Sequence, residues 1–166
     1  MEAFPDLLFV YNDYFDTTNT SKSLLKGLRK IKNEDVIWIN GDVVFDHLVL
    51  ERLIKSPKSC MAVNTASVSD EEVKYTLNKD GNIKEVSKEV KNAEGEAVGI
   101  NKVQASDLPL LITMLEKCNE TDYFEKGIEL AIQRGLQMQT VDVSDLLCTE
   151  IDFEDDLRRV NALLGK

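Results

Sequence analysis

The sequence is poor in the residues that build most nucleophilic and transition-metal sites. It has one histidine, His47, and three cysteines, Cys60, Cys118 and Cys148, which form no CxxC pair. A disulfide framework, a zinc site and a Ser/His or Cys/His catalytic pair are therefore poorly supported, and we expect buried, free thiols. If the protein is catalytic, we expect its chemistry to be carried out by carboxylates, lysines and backbone groups, together with a metal ion bound by oxygen ligands.

Proline, glycine and long apolar runs are also scarce. Three prolines and eight glycines in 166 residues exclude a low-complexity linker. No apolar run approaches the roughly 20 residues that span a bilayer, and the first residues lack the pattern of a signal peptide. We therefore expect a cytoplasmic protein without membrane contact. With 43% hydrophobic residues, the chain is long enough for one compact domain, which we expect to span residues 1–166.

Positive charge is the third deficit. The chain has 20 lysines and arginines against 30 aspartates and glutamates, a formal net charge of −10. Proteins that bind the phosphate backbone of nucleic acids need a basic face. We therefore expect no nucleic-acid partner.

Short apolar segments alternate with amphipathic ones along the chain. Because unbroken apolar runs are typical of buried strands and a 3.6-residue period of helices, this order predicts an α/β sheet covered on both faces. Asp46 is the predicted N-cap of a helix that ends before Pro57, Ser106 that of another, and Gly81 the turn residue of a hairpin. The predicted strands are residues 7–11, 36–39, 60–63, 95–103 and 138–143, the hairpin strands 74–77 and 83–86, and further helices 21–32, 123–134 and 153–164.

Two aspartates follow predicted strands. Asp42 comes after a strand that ends in Ile39-Asn-Gly41, and Asp152 lies between Ile151 and Phe153, just before the last helix. In open α/β sheets ligands gather at the carboxyl ends of strands, and carboxylates there are suited to Mg²⁺. Two simpler interpretations stay open: Asp42 is a solvated turn residue, or Asp152 is a helix N-cap.

The segment from residue 86 to 100 has an unusual charge pattern. Lys88 and Lys91 alternate with Glu89, Glu94 and Glu96. A lysine here is suited to a phosphate and a glutamate to a cationic or hydroxylated group. The alternative is a solvated connection that leads into a strand.

Several short motifs together resemble the sugar-nucleotidyltransferase superfamily, most closely its small cytidylyltransferases acting on phosphocholine or aminoalkylphosphonates. The resemblance covers nearly the whole chain and depends on the order and spacing of the motifs. These are Tyr11-Asn-Asp13, Thr18-Asn19, Ser23-Leu24, Val36-Ile-Trp-Ile-Asn-Gly-Asp42, Glu94-Gly-Glu-Ala-Val-Gly-Ile100, Glu150-Ile-Asp-Phe153 and Asp156-Leu157.

The resemblance implies a three-layer αβα Rossmann-like fold with a mixed, mostly parallel sheet and an inserted β-hairpin. It implies Mg²⁺-dependent transfer of a nucleotidyl group, CMP, from a nucleoside triphosphate to a phosphate- or phosphonate-bearing acceptor, with release of pyrophosphate. The implied site consists of Asp42 and Asp152 as metal ligands, Lys88 as the catalytic residue at the substrate phosphate, and Asn19, Ser23, Glu96, Tyr123 and Glu125 as acceptor-binding residues. Tyr123 and Glu125 would hold an ammonium head group, although simple packing of Tyr123 is the alternative.

One part of the family pattern is not found in this sequence. The family begins with a strand and a glycine-rich loop that wraps the triphosphate, followed by an arginine and a Pro-Lys pair. On this comparison we expect an N-terminally truncated domain, equivalent to the C-terminal two-thirds, that is inactive alone. We also expect a homo-oligomer or an N-terminal partner chain at the exposed strand edge. The alternatives are a non-catalytic binding or assembly module and, less well supported, a Mg²⁺-dependent glycosyltransferase-like domain.

Overall fold

The computed structural model of the chain describes residues 6–66, 68 and 72–165. Helices are interspersed with strands along it, with four consecutive strands between residues 60 and 103 that include the predicted hairpin. None of the helices in these ranges has the length and apolar character needed to cross a membrane. The elements in chain order are α1 (Thr20–Leu28), β1 (Val36–Ile39), β2 (Val43–Phe45), α2 (His47–Lys55), β3 (Cys60–Asn64), β4 (Lys74–Leu77), β5 (Ile83–Ser87), β6 (Gly95–Val103), α3 (Leu108–Lys117), α4 (Phe124–Ile132), β7 (Gln139–Asp142), β8 (Cys148–Glu150) and α5 (Glu154–Leu163).

The main sheet is mixed, which confirms the predicted fold class. Its strand order is β5-β4-β6-β3-β7, and β1 also pairs with β6. The β3–β7 pair is parallel and the other pairs are antiparallel, so β1, β3, β4 and β7 run one way and β5 and β6 the other. Strand β3 pairs along one edge of β6. The opposite edge of β6 is shared by β4, which pairs with residues 95–96, and β1, which pairs with residues 100–103. Strands β2 and β8 form a separate antiparallel ribbon.

Helices cover both faces of the main sheet, and strand β3 shows how. Met61 and Val63 belong to the apolar cluster that contains the buried faces of α1, α3 and α4. Cys60 and Ala62, which alternate with them, belong to the second cluster, under α2. All four side chains are fully buried, and burial of a large apolar side chain stabilises the fold by about 1.5–3 kcal/mol. The three-layer prediction is therefore confirmed.

The predicted caps and turns are mostly confirmed. The Asp46 carboxylate accepts a hydrogen bond from the Leu48 backbone N–H at 2.9 Å, and Gly81 has a φ of 75° in the hairpin turn. Helix α3 instead starts after Asp107, one residue beyond the predicted cap Ser106. The Asp107 carboxylate makes no cap bond, because it accepts the hydroxyl of Ser59 at 2.5 Å.

The prediction of a buried strand at residues 7–11 is wrong. The segment has no strand assignment, and its five apolar side chains are 39–75% exposed. A buried strand needs hydrogen-bonded neighbours, and within the described residues no strand pairs with it. Lys26 holds its end instead, by a hydrogen bond to the Tyr11 carbonyl at 3.4 Å and an ion pair with Asp13 at 3.6 Å.

The three cysteines are free thiols, as expected. Cys60 and Cys118 are buried, whereas Cys148 is only partly buried. Burial raises the pKa of all three, to about 11 for Cys148, so that the reactive thiolate is disfavoured at neutral pH.

Candidate active site

The β2–β8 ribbon brings the two predicted metal ligands together. Val43 pairs with Glu150, and the Ile151 backbone N–H donates to the Asp42 carbonyl at 2.9 Å. Asp42 and Asp152, which flank this ribbon, both line one cleft of about 280 Å³, here called the carboxylate cleft. Its lining includes seven ionisable side chains: Asp42, Glu72, Lys88, Tyr123, Glu125, Glu150 and Asp152.

Asp152 is not the cap of the last helix. The N-cap of α5 is Phe153, and its backbone N–H donates to the Asp156 carboxylate at 3.1 Å. The N-cap interpretation of Asp152 is therefore wrong. Its exposed carboxylate lies with those of Glu72 and Glu150, whose nearest ligand atoms are all within 4.8 Å of one another.

Sequence reasoning missed Glu72 and Glu150. Glu150 carried a signal, since it precedes Asp152 by two residues, and alternate residues of an extended chain project to the same side. Glu72 lies between β3 and β4, where no pattern marks it. Three carboxylates at this separation are suited to one cation with oxygen ligands.

The charges in the cleft are unbalanced. Burial, followed by the charges of Glu72, Asp42 and Asp152, raises the pKa of Glu150 to about 7. Lys88 is the one basic side chain among the described lining residues. A cation bound here would favour the ionised form of Glu150.

Gly99 allows the strands around Glu150 to come this close. It has a φ of 69°, and a Cβ there would lie 2.8 Å from Asn40 Nδ2 and 3.0 Å from Glu150 Oε1. A side chain at this position would be strained and would also push against the cleft wall.

Three more of the predicted residues, Lys88, Tyr123 and Glu125, line the same cleft. The Lys88 ammonium stands 5.6 Å from the centroid of the Tyr123 ring, a cation–π distance. Tyr123 is 52% exposed, so it is not a packed core residue. Glu125 Oε2 is buried without a hydrogen-bond partner among the described residues. Burial raises the pKa of Glu125 to about 7, against the opposing effect of Lys88.

Glu96 lines an adjoining cavity of about 340 Å³ that shares Glu72, Glu150 and Asp152 with the cleft. The amide of Asn64 donates to its carboxylate at 3.3 Å. Arg159, which the sequence did not suggest, lines the same cavity.

Asn19 and Ser23 are not among the lining residues of the cleft or of this cavity. The Asn19 side chain accepts the Thr20 backbone N–H at 2.7 Å and donates to the Thr121 carbonyl at 3.3 Å, so it caps α1. Ser23 lies in a separate groove beside β1, where its hydroxyl accepts from the Asn12 amide at 3.0 Å. An acceptor-binding role for either residue stays a prediction.

The fold is that of the nucleotidyltransferases. The inositol-1-phosphate CTP transferase from T. maritima superposes with a TM-score of 0.82 at 18% identity, over 99% of this chain and 70% of that chain. The CTP:phosphocholine cytidylyltransferase from Streptococcus pneumoniae does so with a TM-score of 0.69 at 15% identity, over 92% and 67%. A putative glucose-1-phosphate thymidylyltransferase from Bacillus anthracis superposes with a TM-score of 0.66 at 15% identity, over 93% of this chain and 63% of that chain.

Sequence comparison gives a family without an assigned activity. The model of the family described as Domain of unknown function (DUF6564) matches residues 2–93, and the chain belongs to this family. No curated protein matches the sequence.

Proposed function

We propose that this chain is a nucleotidyltransferase module that transfers a nucleotidyl group to a phosphate- or phosphonate-bearing small molecule and releases pyrophosphate. The observation that carries the proposal is that Asp42, Lys88 and the clustered carboxylates of Glu72, Glu150 and Asp152 line one cleft in a nucleotidyltransferase fold. CTP is the proposed donor, and CMP the transferred group, because two of the similar structures are named for CTP.

The residues of the cleft fit a hard divalent cation. Its described lining offers carboxylate oxygens and neither imidazole nor thiolate, which is the donor set that Mg²⁺ prefers. Asp152 would hold Mg²⁺ together with Glu72 and Glu150, whose ligand atoms lie within 4.8 Å of its own. Asp42, which lines the same cleft, would be a further ligand. Bound there, the ion would neutralise charge on the phosphate oxygens during transfer.

Lys88 would orient the acceptor by its charge. An ammonium is a compact cation suited to phosphate oxygens, and the Tyr123 ring already holds this one at the cleft. An oxygen of the acceptor's phosphate or phosphonate attacks the α-phosphorus in line, and the bond to the bridging oxygen breaks as pyrophosphate leaves with the electron pair. No general base is required, because the attacking oxygen is already ionised at neutral pH.

Tyr123 and Glu125 support an acceptor with a cationic head, such as phosphocholine or an aminoalkylphosphonate. With the Lys88 ammonium directed to the acceptor's phosphate, the exposed ring of Tyr123 would offer a face for the acceptor's ammonium group. The buried carboxylate of Glu125 lacks a partner among the described residues, and a cation beside it would favour its ionised form. Glu96 would accept hydrogen bonds from the same acceptor in the adjoining cavity.

Calorimetry tests the metal site directly. We expect Mg²⁺ to bind the wild-type chain, and Asp42→Asn and Asp152→Asn each to weaken binding by at least about tenfold, because each removes a charged ligand. Asp80→Asn, in the β4–β5 turn, removes the same charge outside the cleft and should leave Mg²⁺ affinity unchanged. Mg²⁺ binding that is equally strong in all four proteins would refute the site.

A pyrophosphate-release assay with CTP and either phosphocholine or 2-aminoethylphosphonate tests the reaction. That the chain alone is inactive stays a prediction, which turnover sensitive to Asp42→Asn would refute while supporting the transferase proposal. A chain that neither binds Mg²⁺ through Asp42 nor turns over would favour the alternative, a non-catalytic α/β binding or assembly module.

A further inference from the structure

Strand β1 has one unpaired edge beside an apolar groove. Within the described residues it pairs with β6 alone. The Asn40 backbone N–H donates to the Gly99 carbonyl, so alternation along the strand directs the backbone groups of Ile37 and Ile39 toward the unpaired side. The groove there measures about 550 Å³, and its apolar lining includes Leu8, Val10, Leu24, Leu28, Ile31, Ile37 and Ile39.

The opposite wall of the groove is the extended segment at residues 7–11. Leu8 and Val10 face the groove, whereas Phe9, 55% exposed, and Tyr11, 75% exposed, are not among its lining residues. Tyr14 and Phe15, which follow, are 66% and 78% exposed. One chain thus carries both an unpaired strand edge and an unpaired apolar segment, and soluble proteins normally cover such features.

We propose that residues 7–11 of a second copy of this chain occupy the groove as an added β-strand, and that two copies exchange these segments reciprocally in a two-fold symmetric dimer. Self-complementarity favours this occupant over an unrelated chain, because the donor segment and the acceptor groove lie on the same molecule.

The two-fold arrangement also leaves no edge unpaired at the junction. The strand order across it is β1 of one copy, segment 7–11 of the second, segment 7–11 of the first, and β1 of the second. Each segment then pairs on both sides, and the exposed faces of Phe9 and Tyr11 approach the other copy. The two main sheets become one continuous sheet.

Charge complementarity supports the same occupant. Residues 20–32 carry five basic side chains and no acidic one, although the whole chain has a net charge of −10. The apolar segment is flanked by Asp6, Asp13 and Asp16. Lys30 lines the groove, and Lys26 already pairs with Asp13 within one chain at 3.6 Å. Lys22 and Arg29 also pair within the chain, with Glu120 and Glu116. A second acidic copy, repelled at most of the surface, would therefore be attracted chiefly at Lys30, beside the groove.

Sedimentation velocity of the full chain tests the proposal at concentrations from about 1 to 100 μM, where a standard interface with micromolar or better affinity is populated. We expect twice the mass of one chain at the upper end. Phe9→Lys should raise the dimer dissociation constant by about 100-fold, because it removes an aromatic contact and places a charge in the interface. Ile39→Lys tests the acceptor edge in the same way.

Ile54→Lys is the matched control. Ile54 is 62% exposed on α2, in the opposite layer, and receives the same added charge. Circular dichroism establishes that each variant is folded. A wild-type monomer at 100 μM would overturn the proposal whatever else covers the groove. So would a folded dimer that survives both Phe9→Lys and Ile39→Lys, since the interface would then lie elsewhere.

Discussion

The carboxylate cleft and the groove beside β1 are neighbours with opposite character. Thr20, Asn40 and Phe124 line both of them. The cleft is polar and its walls are fixed by paired strands, whereas the groove is apolar and one of its walls is unpaired. The β1 strand and the residues that follow it therefore separate the proposed metal site from the proposed dimer interface. Each of the two surfaces should respond to its own set of substitutions.

The largest expected effect on stability comes from a substitution in the backbone of the cleft wall, at Gly99. Gly99→Ala adds a Cβ at positive φ, close to Asn40 and Glu150, and should lower the free energy of unfolding by about 2–4 kcal/mol. Denaturant titration measures this change. A Cβ at Gly41 meets nothing within 4 Å, so Gly41→Ala should stay within about 0.5 kcal/mol of the wild type. Equal losses at both positions would contradict close packing at Gly99.

A smaller effect should appear in the pH dependence of the free energy of unfolding, because of Glu125. Its pKa is raised from 4.5 to about 7 by burial, so the folded state keeps its proton where the unfolded state has lost it. Stability therefore falls as pH rises from about 4.5 to 7 and stays lower above that range.

Glu125→Gln removes this penalty. Relative to the wild type, the variant should gain about 1–3 kcal/mol at pH 8 and almost nothing below pH 4.5. Thermal unfolding at a series of pH values without Mg²⁺ measures the difference. A gain that is the same at every pH would mean that the ionisation of Glu125 is not its cause.

The smallest expected effects are those of each surface on the other. Asp42→Asn should leave the sedimentation coefficient unchanged, and Phe9→Lys should leave Mg²⁺ affinity within about twofold, since neither residue lines the other cavity. Loss of Mg²⁺ binding in folded Phe9→Lys would show that assembly and the metal site are coupled across Asn40.

Sequence reasoning recovered the long, patterned elements. Strand β6 has its predicted bounds, and the β4–β5 hairpin is correct around Gly81, because apolar composition and turn chemistry are local signals. Strands β2 and β8 were missed. Each has only three residues, too few for a periodic pattern, and each is a strand only because the other lies beside it.

The candidate site was predicted only in part for the same reason. Asp42 and Asp152 were predicted from the sequence and both line the cleft, but their proximity depends on the ribbon that the sequence did not reveal. The prediction for residues 7–11 was wrong for a different reason, because an unbroken apolar run does not distinguish a buried strand from an exposed segment without strand structure. Whether a segment is buried depends on the elements that pack against it, and the sequence of the segment alone does not show which these are.

The β2–β8 ribbon also has a consequence for how the chain folds. It pairs Val43 with Glu150, so nearly the whole sheet and three helices lie in the loop that this contact closes. Contacts between such distant positions are reached late, after most of the chain has lost its conformational freedom. We therefore expect the carboxylates of the cleft to come together late in folding. A cation that binds only this arrangement would stabilise the native state of the whole chain.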